Sequence, residues 1–186
     1  MNPIIYRNRR TLLLGEVNSG KTTRTREILL AFLQEDEKGI ALFDFAPEKI
    51  GGVGGKIFLA EEDRRRVWVE SPRIVPPRLT AKTEEEAWGL ARENFRRIEE
   101  SFERLPARAW KLFVLNDVSL YLQAGRADQL LTRLQPFPTV VMNGYYGRYF
   151  GEGPLSLRER EQMDLLKTAC QQVFYLPSRG PIPPSW

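Results

Sequence analysis

The segment Gly15-Glu16-Val17-Asn18-Ser19-Gly20-Lys21-Thr22 limits what this chain can fold into more than any other feature. It stands between the apolar run Thr11-Leu12-Leu13-Leu14 and a stretch from Thr22 to Leu33 in which Ile28, Leu29, Ala31, Phe32 and Leu33 are apolar. A strand, a glycine loop and a helix follow in that order. Gly15 and Gly20 let the backbone wrap a small anion. The amides from Val17 to Thr22 then converge at a helix N-terminus, whose dipole favours negative charge.

The rest of the chain repeats the alternation. Lys38-Gly39 ends the first helix, and Ile40-Ala41-Leu42-Phe43 reads as a buried strand that delivers Asp44. A glycine-rich stretch from Ala46 to Lys56 leads to short strand candidates at Lys56 to Leu59 and Val67 to Glu70, read as a hairpin or a small edge excursion. Ser71 to Thr80 is a Pro-rich connector. Thr83 with Glu86 forms a capping box before a helix carrying Ala87, Leu90, Ala91, Phe95, Ile98 and Phe102. Lys111 to Leu115 is a strand ending in Asn116-Asp117, Ala127 to Leu134 a helix, and Thr139 to Met142 a strand ending in Asn143-Gly144. Ser156 with Glu159 opens a further helix, and Gln172 to Leu176 is the last strand. This order predicts a three-layer α/β fold with a mostly parallel central sheet, in one domain over residues 1–186 with a Pro-rich tail at 178–186.

Composition removes several chemistries. The chain has no His and one Cys in 186 residues, so a Ser-His-Asp triad, most zinc geometries, thiolate clusters and internal disulfides are excluded. Apolar runs fall far short of the roughly 20 residues that span a bilayer. The basic N-terminus has no apolar signal core, and the expected location is the cytoplasm with no membrane contact. A net charge of +4 with interleaved acidic stretches does not by itself indicate nucleic acid.

The glycine loop satisfies the pattern G-x-x-x-x-G-K-[ST] in its required strand-to-helix context. On those residues the chain resembles the P-loop (Walker A) nucleoside triphosphatases. The resemblance implies ATP or another NTP bound with Mg²⁺ by Gly15, Glu16, Val17, Asn18, Ser19, Gly20, Lys21, Thr22 and Thr23. Lys21 would reach the β- and γ-phosphates and Thr22 would ligate the metal. Lys111-Leu112-Phe113-Val114-Leu115-Asn116-Asp117 is similar to the acidic Walker B strand of that family, with Asn116 where the metal-side Asp belongs. Asp117 is therefore the candidate to serve the metal or polarise water. Asp44, at another strand end, is a second metal candidate or a base for an acceptor.

Asn143 occupies a strand end where many P-loop enzymes keep a γ-phosphate-sensing residue, and Arg179, after the last strand, is a candidate base contact. Arg24 and Arg26 default to solvent. The segment from Ala60 to Arg66, with Arg64-Arg65-Arg66, reads either as a lid or as a charged surface turn. The aromatic loop Tyr145-Tyr146-Gly147-Arg148-Tyr149-Phe150 either covers the sheet edge or meets a protein or nucleic-acid partner through Tyr145, Tyr146 and Arg148. The later half is also similar in layout to P-loop corrinoid adenosyltransferases. Three functions stay open: Mg²⁺-dependent NTP hydrolysis, nucleotide-dependent phosphoryl or corrinoid adenosyl transfer, and a nucleotide-binding switch or assembly module with little turnover.

Overall fold

A computed structural model describes residues 2–49 and 51–177. The apolar runs become β1 (Arg10–Gly15), β2 (Ile40–Asp44), β3 (Val67–Glu70), β4 (Leu112–Asn116), β5 (Thr139–Tyr145) and β6 (Gln172–Tyr175). They form one sheet in the order β3-β2-β4-β5-β1-β6, and every pairing among the described residues is parallel. The connections carry α1 (Lys21–Gln34), α2 (Glu61–Arg64), α3 (Pro77–Thr80), α4 (Glu84–Glu103), α5 (Ser119–Leu122), α6 (Ala127–Arg133) and α7 (Pro154–Thr168). The three-layer α/β architecture predicted from the sequence is the one observed.

Strand residues alternate between two cores, as a period of two requires. Leu13, Leu42, Val114 and Val141 pack with Ile28, Leu29, Phe32 and Leu33 of α1 on one face. Leu12, Leu14, Phe43, Phe113, Leu115 and Met142 pack on the other with Ile98 and Phe102 of α4, Leu130 of α6 and Leu166 of α7. The second core is aromatic at its centre, with ring centroids of Phe113 lying 4.8 Å from Phe43 and 4.2 Å from Phe137. Burial on both faces explains why the central strands read as unbroken apolar runs.

Three local expectations are corrected. Lys56 to Leu59 forms no strand and pairs with none among the described residues, because the Ile57 amide donates instead to the Asp44 carboxylate at 2.6 Å. Of the two readings of Val67–Glu70 the hairpin fails and the edge reading holds, since it joins β2 in parallel as the edge strand. The helix expected to open at Ser156 begins two residues earlier: Gly153 is its cap, Pro154 its first residue, and Glu159 is buried. Proline at the first helical position needs no amide partner and is preset for the helix, so it outcompetes the Ser-Glu pattern. At α4 the Thr83 hydroxyl does accept from the Glu86 amide at 3.1 Å, while the Glu86 carboxylate reaches the Lys82 amide at 2.7 Å.

The β1–α1 junction and the carboxyl ends of β2, β4 and β5 meet at one end of the sheet. Arg64-Arg65-Arg66 lies at the other end, where Arg66 donates to the Leu33 carbonyl and pairs with Asp36 at 2.9 Å. The charged-turn reading holds there and the lid reading does not. No helix among the described residues is long and apolar enough to cross a membrane.

Candidate functional site

Glycine loop and helix α1 build one wall of a cleft of about 310 Å³, lined by Val17 to Thr23. Gly20 caps α1 in the left-handed region at φ 84°, where a side chain would be strained. A Cβ on Gly15 would stand 2.6 Å from the Ser19 hydroxyl and 2.7 Å from the Leu176 carbonyl, so the loop closes tightly against β6. The Glu16 side chain turns away from the cleft toward the Gly147-Arg148 backbone, where it accepts from the Arg148 amide.

Lys21 lies within the loop's curve. Its ammonium donates to the carbonyls of Gly15, at 3.0 Å, and Glu16, and to the Ser19 hydroxyl at 3.2 Å. Burial lowers its pKa to about 8 against the pull of Asp117 and Glu16. A desolvated cation held mainly by neutral carbonyls, at a helix N-terminus, fits an anionic ligand.

Strand register assembles the polar floor. Asp44 of β2 lies opposite Asn116 of β4, and Asn143 of β5 follows the Leu115–Met142 pair by one residue. The Asp44 carboxylate is buried and accepts from the amides of Ile57 and Ala46 and from Asn116 Nδ2 at 2.7 Å. Burial raises its pKa, and these donors oppose the shift. Because Nδ2 is committed to Asp44, Asn116 turns Oδ1 toward the Thr22 hydroxyl at 3.3 Å and Asn143 Nδ2 at 2.8 Å. Asn143 also donates to Thr25, and its Oδ1 accepts from the Asp117 amide at 3.0 Å. Asp44 is thus one layer behind the cleft, whereas Thr22, Asp117 and Asn143 line it.

Asp117 takes a left-handed φ of 61°, tolerated by Asp, where the chain leaves β4. Burial raises its pKa, while Lys21, a Ser119 hydrogen bond and Arg78 pull the other way. Thr22, having donated its proton to Asn116, presents its oxygen lone pairs outward. Among the described residues no group of three or more His, Cys, Asp or Glu could hold a metal. Of the metal candidates read from the sequence, Thr22 and Asp117 are the two whose oxygens border the cleft and could hold a divalent cation there.

The cleft is also lined by groups that sequence reasoning missed. Pro76, Pro77, Arg78 and Leu79 of the connector line the cleft, as do Val53, Gly54 and Gly55 of the glycine-rich stretch. Arg78 pairs with buried Glu159 at 2.9 Å and lies over the rings of Tyr145 and Phe150, with its guanidinium carbon 5.1 and 4.2 Å from their centroids. Part of the aromatic loop is therefore spent internally. The Tyr146 hydroxyl bonds Asp164, while Arg148 is exposed. Arg26 is taken up by the Phe58 carbonyl at 2.7 Å and Arg24 by Glu27. Arg179 lies outside the described residues, as does the Pro-rich tail.

Burial pushes Glu159 up to about 7 despite Arg78 and the Gln123 amide, and the charge of Asp117 adds to the shift. A carboxyl that holds its proton more tightly folded than unfolded lowers stability as pH rises from its unfolded value through about 7. Glu159→Gln removes that dependence. Urea melts should show the variant gaining on wild type by roughly 2 kcal/mol between about pH 5 and about pH 8; a constant difference would contradict the burial argument.

No protein-family model matches the chain, and no curated protein sequence does. Among solved structures it is similar to the flagellar accessory protein FlaH from Methanocaldococcus jannaschii, with a TM-score of 0.51 and 8% identity, covering 91% of this chain and 71% of that one. At this identity the likeness is one of fold, and together with the parallel sheet and the strand-loop-helix junction it supports a P-loop NTPase-like α/β fold.

Proposed function

We propose that the protein binds a nucleoside triphosphate with Mg²⁺ in the glycine loop and hydrolyses it. The observation that carries this reading is the desolvated Lys21 ammonium, curled onto its own loop carbonyls at a helix N-terminus. A triphosphate would replace those carbonyls with charged oxygens, and the Val17 to Thr22 amides would cradle it. Thr22 would hold the metal, whose role when bound is to neutralise phosphate charge. Lys21 and the amides would stabilise the negative charge that shifts onto the leaving β-phosphate oxygen as the terminal phosphoryl group departs, and Asp117 would orient the attacking water.

Asp117→Asn tests the last assignment. Asn tolerates the same left-handed backbone, so the turn should survive. Phosphate release should fall by about 10²–10⁴ while triphosphate affinity stays within about threefold of wild type. Equal turnover would remove Asp117 from that role.

One observation favours a slower protein, a nucleotide-dependent switch. The residue beside Thr22 is the neutral Asn116, and the carboxylate behind it, Asp44, has its oxygens occupied by three N–H donors. A transferase is favoured instead by the apolar far wall of the cleft, including Pro47, Val53 and Leu120, which a phosphate chain does not need. Phosphate release with water alone, against release that requires an added acceptor, separates these readings.

A further inference from the structure

We propose that Arg78 is a γ-phosphate contact supplied by the chain itself, held beside the glycine loop by Glu159, Tyr145 and Phe150. The inference rests on the triphosphate reading above and adds to it the group that tells a triphosphate from a diphosphate.

Arg78 and Lys21 line the same cleft. Asp117 lines the cleft with them and feels the charge of both. An anion held by Lys21 in a cleft of about 310 Å³ shares that cleft with Arg78. The side chain is only 14% exposed, too desolvated for a surface arginine, and its partner Glu159 is 3% exposed. An arginine serving only to neutralise Glu159 has no need to border the cleft.

Its setting restrains it from several directions. Pro76 and Pro77 stiffen the turn that carries it, and Tyr145 and Phe150 pack against the planar head. Contacts to Glu159 and Ser156 use the two terminal nitrogens. Nε donates to no described residue, and a guanidinium has five N–H donors in a fixed fork suited to phosphate oxygens. Glu159 in turn accepts from Gln123 at 2.8 Å, so the counter-ion is itself anchored and keeps Arg78 in place without closing its fork.

The test compares magnesium complexes of a non-hydrolysable ATP analogue and of ADP, titrated into wild type, Arg78→Ala and Arg78→Lys by calorimetry, with a thermal melt of each. Arg78→Ala should weaken the triphosphate analogue about tenfold to a hundredfold and leave ADP within about twofold, with Arg78→Lys between. Triphosphate preference unchanged in a folded Arg78→Ala protein would overturn the inference and leave the triphosphate reading standing. Equal weakening of both nucleotides, in both variants, would reduce Arg78 to packing and would also overturn it. Wild type that binds neither nucleotide would overturn the triphosphate reading, and this inference with it.

Discussion

Lys21→Ala is expected to weaken binding of a magnesium triphosphate by about 10²–10³ without unfolding the protein, because it removes a desolvated cation donor from an anion cradle. Burial already disfavours the charged amine, whose pKa sits at about 8, so its loss relieves the fold of a poorly solvated charge. Its neighbours are two carbonyls and a hydroxyl at the cleft edge, which water can serve after truncation. The melting temperature should stay at or above that of wild type. Calorimetric titration beside a thermal melt checks both halves; unchanged affinity in a folded variant would remove Lys21 from the site.

The second large effect runs against family resemblance. Replacing Asn116 by the Asp that the resemblance to P-loop proteins would put at that position should damage the protein. Asn116 Nδ2 donates to Asp44 at 2.7 Å, so Asn116→Asp sets a second carboxylate against a buried one and removes a donor. Two buried carboxylates at that range cannot both ionise, and the expected loss is about 3 kcal/mol at neutral pH. Below the raised pKa of the pair, a protonated carboxyl can donate where the amide did, so the variant should recover relative to wild type as pH falls. Urea melts at neutral and mildly acidic pH measure this; a variant as stable as wild type at neutral pH would mean that Asp44 does not depend on its amide partner.

What the sequence made legible was local or doubly buried. The glycine loop is readable because all its parts lie within eight consecutive positions. The strands around Leu13, Leu42 and Val114 are readable because burial on two faces leaves no polar interruption. The segment 56–59 has strand composition but spends the Ile57 amide on a side chain, an outcome decided 13 residues away at Asp44. Glu159 looked like half of a helix cap because Ser156 precedes it by three, and Pro154 overrode that pattern.

Arg78 was invisible for a related reason. Nothing within the connector marks it, and its meaning comes from Tyr145, Phe150 and Glu159, which only the fold brings to it. The polar floor was half legible. Asp44, Asn116 and Asn143 were recognisable as strand-end residues, but the parallel register that aligns them, and so places Asp44 behind Asn116, is a property of strand order.

The most direct test of the central claim is calorimetric titration of the wild-type protein with a non-hydrolysable ATP analogue and with the corresponding GTP, CTP and UTP analogues, each with Mg²⁺ and with EDTA. Saturable binding of one triphosphate per chain for at least one base, weakened when Mg²⁺ is removed, is the predicted result. Absence of binding by every analogue to folded protein would contradict the account.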